Sequence, residues 1–259
     1  MNIRVIVLAV VSLSFSMSLF AQTDRTEALE SADQNGWEYE LKAGVNIGGS
    51  SPLPIPVEIR KITSYNPRFN GTIEGTATKW LGEDRQWGVS VGLKLEEKGM
   101  ITGARVKNYR TEIVDEGSHI AGYWTGDVQT DYHSTLLTIP VMGNYRINDR
   151  WKVRAGVYSS IKLDGNFSGH VSNGYLREGT PVGQKLTFDE GRTAFYDFSS
   201  SLRSLHWGAQ AGATWRAFNH FTINADMIWA ANGIFKKDFK TISFKLYPIY
   251  LNIGFGYRF

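Results

Sequence analysis

The closing stretch Tyr247-Pro248-Ile249-Tyr250-Leu251-Asn252-Ile253-Gly254-Phe255-Gly256-Tyr257-Arg258-Phe259 decides the fold. In an extended chain, Tyr247, Ile249, Leu251, Ile253, Phe255, Tyr257 and Phe259 share one side, and Tyr250, Asn252, Gly254, Gly256 and Arg258 the other. In a soluble protein such an end is an exposed adhesive edge. In a transmembrane barrel the apolar side meets lipid, and pairing with the first strand leaves no open edge.

Working back from that strand, the same alternation recurs. Trp37, Tyr39, Leu41, Ala43, Val45 and Ile47 lie opposite Glu38, Glu40, Lys42, Gly44 and Asn46. Further strands are expected at 72–81, 86–97, 134–147, 151–163, 205–217 and 221–232, with the closing one at 243–259. The expected fold is therefore all-β: an antiparallel up-and-down transmembrane barrel of eight strands with long extracellular loops. Tight connections at 82–86, 148–150 and 218–220 alternate with long ones at 49–71, 98–133, 164–204 and 233–242. That alternation predicts turns in the periplasm, loops outside the cell and both termini periplasmic. Within the second long loop, 106–113 and 120–124 are expected to extend strands three and four as a hairpin.

Composition agrees. Aromatic residues make up 13% of the 259 residues and glycine supplies 27, yet no long apolar run follows residue 21. That excludes helical spans beyond it. The absence of cysteine excludes disulfides, a catalytic thiol and a lipoprotein anchor. A net charge of +3, spread along the chain, gives no argument for nucleic acid. At the start, Arg4 precedes an apolar stretch from Val5 to Phe20, read as a signal peptide over 1–21. Residues 22–36 read as a mobile periplasmic tail, and 37–259 as the barrel domain.

The parity of each strand assigns its side chains. Trp37, Trp80, Trp87, Trp151, Trp207, Trp215 and Trp229 are expected in two interfacial aromatic girdles. Glu40, Lys42, Glu74, Lys94, Glu96, Arg154, Lys162, Arg216 and Asp226 are expected inside, as a paired polar network filling a narrow lumen. Two groupings carry residue types suited to chemistry. Asp127, Asp131 and His133 have the residue types of an acid–base or metal cluster, and Ser204 with His206 those of a hydrolase pair. Both are read as solvated rim, so no catalytic, cofactor or metal residue is assigned. A phosphate loop is not found either.

The chain resembles the PorT-like outer-membrane β-barrel proteins of Bacteroidetes, within the OmpA/OmpX-type barrels. The resemblance rests on Leu137-Thr138-Ile139-Pro140-Val141-Met142-Gly143-Asn144-Tyr145, Arg154-Ala155-Gly156-Val157-Tyr158, Gly208-Ala209-Gln210-Ala211-Gly212 and residues 251–259. It implies a barrel, the reading of Phe255, Tyr257 and Phe259 by the outer-membrane insertion machinery, and no catalytic residues. The expected function is a binding or scaffold barrel in the cell outer membrane, displaying loops or docking in a larger complex. Its expected partners are outer-membrane lipids including lipopolysaccharide, the insertion machinery and other outer-membrane proteins. The alternatives are a lipid- or peptide-modifying enzyme and a narrow channel.

Overall fold

The computed structural model describes residues 29–115 and 117–259. The expected signal peptide lies outside the described residues. Ten strands are present among them: β1 (Trp37–Pro52), β2 (Ile59–Asn66), β3 (Gly71–Leu81), β4 (Trp87–Asp115), β5 (Ser118–Arg146), β6 (Trp151–Glu178), β7 (Lys185–Asp197), β8 (Leu205–Arg216), β9 (Phe221–Ala230) and β10 (Leu246–Arg258). Eight of them form a closed antiparallel ring in the order β1, β3, β4, β5, β6, β8, β9, β10. The ring closes between β10 and β1, from Glu40 opposite Arg258 to Pro52 opposite Leu246. No described helix is long and apolar enough to cross a membrane.

The outer face carries the apolar parity. Leu41, Ile73, Val91, Leu93, Val157, Ile223, Ile253 and Phe255 are all exposed there, as a wall in contact with hydrocarbon requires. On β8, Trp207 and Trp215 stand on this face with Ala209, Ala211 and Ala213 between them. Eight residues of strand separate the two indoles by about 27 Å, or roughly 20 Å along the axis at a tilt of ~40°. Trp37, Trp87 and Trp151 join Trp215 at the end with the short turns, and Trp229 lies with Trp207 at the other.

Trp80 departs from the expected girdle. It is 5% exposed and turned inward, and its indole donates to Glu38 Oε2 at 3.1 Å. It shares the even parity of Glu74, which faces the lumen, so the pleat leaves it no other direction. Of the expected tail, residues 29–36 are described. Residues 29–34 are helical, and the segment after them is pinned to the β3–β4 turn. Trp80 N donates to Gly36 O (2.7 Å), and Arg85 reaches Gln34 O (2.9 Å) and Asp33 (3.6 Å).

The long loops are mostly strand. β4 and β5 continue beyond the ring as a hairpin paired as far as Asp115 opposite Ser118, β6 runs to Glu178, and β7 pairs with β6 and touches β4 at Val114 opposite Phe195. β2 pairs with β4 from Ile59 opposite Val106 to Asn66 opposite Ile101. Beyond the eight-strand ring, the barrel wall is thus extended by β4, β5, β6 and β7, with β2 along one edge.

Candidate functional site

The lower interior is a stack of charge pairs. At the turn end Glu38 accepts from Lys152 (2.9 Å) and lies 3.5 Å from both Arg146 and Arg258. One level up, Glu40 lies 4.0 Å from Lys42 and 3.8 Å from Lys152, and Lys42 donates to Glu74 at 3.2 Å. On the wall formed by β6, β8 and β9, Arg154 reaches over Gly212 to grip Asp226 with two N–H groups, Nε to Oδ1 at 2.7 Å and Nη2 to Oδ2. The remaining Nη1 donates to Thr214 (2.9 Å) and Asn224 (3.2 Å). At the top, Glu96 takes Lys94 and Lys98, each at 3.0 Å, with Thr138 and Asn46 donating to it at 2.7 and 3.1 Å.

Each of these five buried carboxylates has a cationic partner within 4.0 Å. Pairing is what makes charge tolerable inside a wall of low dielectric. Glycine makes room for it. A Cβ on Gly256 would stand 2.5 Å from Glu40 Oε1, and one on Gly212 would fall on the Asp226 carboxylate. Of the expected lumen residues, Lys162 and Arg216 are only half-buried; they stand near the two mouths, while the other seven are buried. Glu38 and Lys98 are interior charges missing from the expected set. Glu38 was legible from its even parity on β1, whereas Lys98 fell in a stretch assigned to a loop.

Above Lys98 the interior changes character. Met100, Val106, Tyr109, Ile113, Trp124, Val128, Tyr132, Phe167, Val171, Leu176 and Phe188 are buried together as one apolar core. Burial raises the Tyr109 and Tyr196 hydroxyls above the usual phenol range, so both stay neutral. This core packs the extended hairpins against one another, as in a soluble protein.

Beside it lies an apolar cavity of about 460 Å³, framed by Ile59, Ile62 and Tyr65 of β2, Met100 and Ala104 of β4, Val128 of β5, and Phe244, Leu246 and Ile249 around the start of β10. A small set of polar groups, Ser50, Ser51, Thr102 and Thr130, interrupts that lining. Size and chemistry fit a small apolar ligand or a chain of one. The β2 strand makes this site. Without it the edge of β4 above Glu96 would be unpaired.

The weighed catalytic groupings come apart in the structure. Asp131 pairs with Arg68, Asp127 lies 3.9 Å from Arg105, and His133 lies 3.9 Å from Asp164. No group of three metal-ligating side chains occurs among the described residues. His206 is 4% exposed and faces inward, whereas Ser204 is exposed.

A family model described as an outer membrane protein beta-barrel domain matches residues 20–236. No curated protein matches the chain. Among solved structures, Ail, the attachment invasion locus protein of Yersinia pestis, solved with the heparin analogue sucrose octasulfate, is 14% identical with a TM-score of 0.35, covering 86% of this chain and 97% of its own. Neisserial surface protein A is 9% identical with a TM-score of 0.34, covering 86% and 96%. The translocator domain of the autotransporter NalP from Neisseria meningitidis is 14% identical with a TM-score of 0.26, covering 95% and 98%.

Proposed function

This chain belongs to the outer membrane β-barrel domain family, and we propose that within that membrane it is a binding barrel whose work is done at the end with the long hairpins. The observation that carries this reading is the preformed apolar cavity between β2, β4 and β10, above an interior filled by paired charge. In this reading the short turns and both termini face the periplasm, and the extended hairpins face outward. The cavity is held on strands with a core of their own, which keeps its geometry fixed before a ligand arrives. The narrower resemblance to PorT-like barrels of Bacteroidetes, and a place in a larger outer-membrane complex, belong to the same proposal. They are supported by Leu137-Thr138-Ile139-Pro140-Val141 and by the small outer residues Ala209, Ala211 and Ala213, which let a neighbour approach closely.

A neutral fluorescent probe, N-phenyl-1-naphthylamine, tests the cavity. The refolded protein in lipid nanodiscs should bind it saturably above the background of empty discs. Ala104→Trp, which fills the cavity, should abolish the saturable component while the heat-modifiable folded band persists on gels. Equal binding by the variant would overturn the assignment.

The narrow channel was the competing reading, and the interior argues against it. With Lys152 of β6 reaching Glu38 and Glu40 of β1 across the lumen, and the Arg154–Asp226 and Lys94–Glu96–Lys98 groups packed along its walls, planar bilayers containing the protein should show no stable conductance steps. Reproducible steps abolished by adding bulk at Gly212 would reinstate the channel.

A further inference from the structure

A second cavity, about 860 Å³, adjoins the first and shares Phe244 and Leu246 with it. Its lining includes six cations, Arg110, Arg203, Lys236, Lys237, Lys240 and Lys245, and no carboxylate. None of the six is in an ion pair with a described residue. Arg203 donates to the carbonyls of Gly233 (3.1 Å) and Phe235 (2.9 Å), and Lys236 to that of Ser200 (2.8 Å). These neutral partners fix the segment after β9 without cancelling its charge. Asp238, on the same segment, is exposed and outside the lining.

The place of this trough matters as much as its charge. Trp207 and Tyr247 also line it, and Trp207 stands on the outer face, 55% exposed, at the level of the upper girdle. The cationic mouth therefore sits where lipid headgroups begin, and the neighbouring apolar cavity is within reach of a chain attached to such a headgroup.

We propose that the two cavities form one site for an anionic lipid, with its phosphate on the cationic trough and an acyl chain in the apolar cavity. The proposal rests on the binding-barrel reading and names the ligand class. Like charges held together without counter-charge repel, and a phosphoryl group relieves this while accepting N–H donors from Arg and Lys on several oxygens. An acyl chain gains by leaving water for the space lined by Met100, Ala104, Val128 and Phe244. A soluble organic phosphate offers the first contribution alone, and an uncharged diglyceride the second.

Native mass spectrometry of the protein in a maltoside detergent separates these cases. The probes are dioleoyl phosphatidic acid, dioleoylglycerol and glycerol 3-phosphate. We expect a one-to-one adduct with phosphatidic acid at least tenfold tighter than with either of the others. Lys237→Glu/Lys240→Glu/Lys245→Glu should bring phosphatidic acid down to the level of dioleoylglycerol and leave dioleoylglycerol binding unchanged. These three side chains are exposed, so the folded band should persist. Wild-type affinity for phosphatidic acid in the triple variant would overturn the headgroup site while leaving the cavity intact. Glycerol 3-phosphate binding as tightly as phosphatidic acid would overturn the lipid assignment. Loss of dioleoylglycerol and N-phenyl-1-naphthylamine binding together in the wild type would instead remove the underlying cavity reading.

Discussion

Deleting residues 255–259 should abolish the folded, heat-modifiable form and leave the chain to periplasmic degradation. The ladder between β10 and β1 loses Phe255, Gly256, Tyr257 and Arg258 opposite Ala43, Lys42, Leu41 and Glu40, and β9 loses its partners from Ile223 down to Phe221. An opening of that length in the wall leaves several backbone groups unpaired in hydrocarbon, each costing several kcal/mol. It also exposes Glu40 and Lys42, buried charges whose neighbours hold them inside. We further propose that the aromatic side chains Phe255, Tyr257 and Phe259 are what the insertion machinery reads, in which case the deletion removes that signal as well. Removing Phe259 alone deletes its backbone bond to Tyr39 O (3.0 Å) and spares the ladder, and should give a milder defect. Folded-band gels and surface proteolysis of intact cells measure both. Normal insertion of the five-residue deletion would rule out β10 as the closing strand.

The second large effect is at Arg154 and Asp226, both at most 5% exposed. Asp226→Ala leaves the guanidinium buried with Thr214 and Asn224 as its remaining hydrogen-bond partners and no carboxylate bonded to it. Breaking such a pair costs about 3–5 kcal/mol, whereas replacing both members with apolar side chains of similar volume is often neutral. Urea titration followed by tryptophan fluorescence should therefore show a large loss for Asp226→Ala and recovery of most of it in Arg154→Met/Asp226→Leu. A single variant as stable as wild type would mean that the charge stack is not a structural element of the lumen.

Much of the wall was legible because lipid and lumen impose opposite chemistry on alternate residues, so Trp37 to Ile47 or Tyr247 to Phe259 read directly as strands. The extension beyond it was legible only in part: the hairpin of 106–113 with 120–124 was expected and is present, but the strands through 98–105, 125–133 and 164–197 and the β2 edge were not, for two physical reasons. First, bulges flip the parity. On β4 the inward residues are Lys94, Glu96, Lys98, Met100 and Val106, but after the irregularity between Val106 and Tyr109 they are Tyr109, Thr111 and Ile113. Asn108, with φ 57°, occupies the left-handed turn that makes the shift. Similar shifts in the β5–β6 pairing, and Asn173 at φ 51° in β6, break the period again. Second, β2 is paired along one edge and exposed over nearly its whole length, so Ile59 to Asn66 carries no alternation to read. The candidate site inherits both difficulties, since its walls come from β2, the shifted part of β4 and the irregular segment before β10. The cations of that segment, Lys236, Lys237, Lys240 and Lys245, were visible in the sequence, but their convergence with Arg110 and Arg203 depends on the fold.

On the binding-barrel reading, the end with the long hairpins is a rigid continuation of the barrel wall, folded before any ligand arrives. Hydrogen exchange of the protein in lipid nanodiscs, read by peptide mass spectrometry, tests it most directly. Peptides covering 100–113, 120–133 and 165–177 should exchange slowly, on the timescale of the ring strands, because their amides are paired in long ladders over the core around Trp124 and Phe167. Exchange of those peptides within seconds, with protection confined to the membrane-spanning strands, would contradict it.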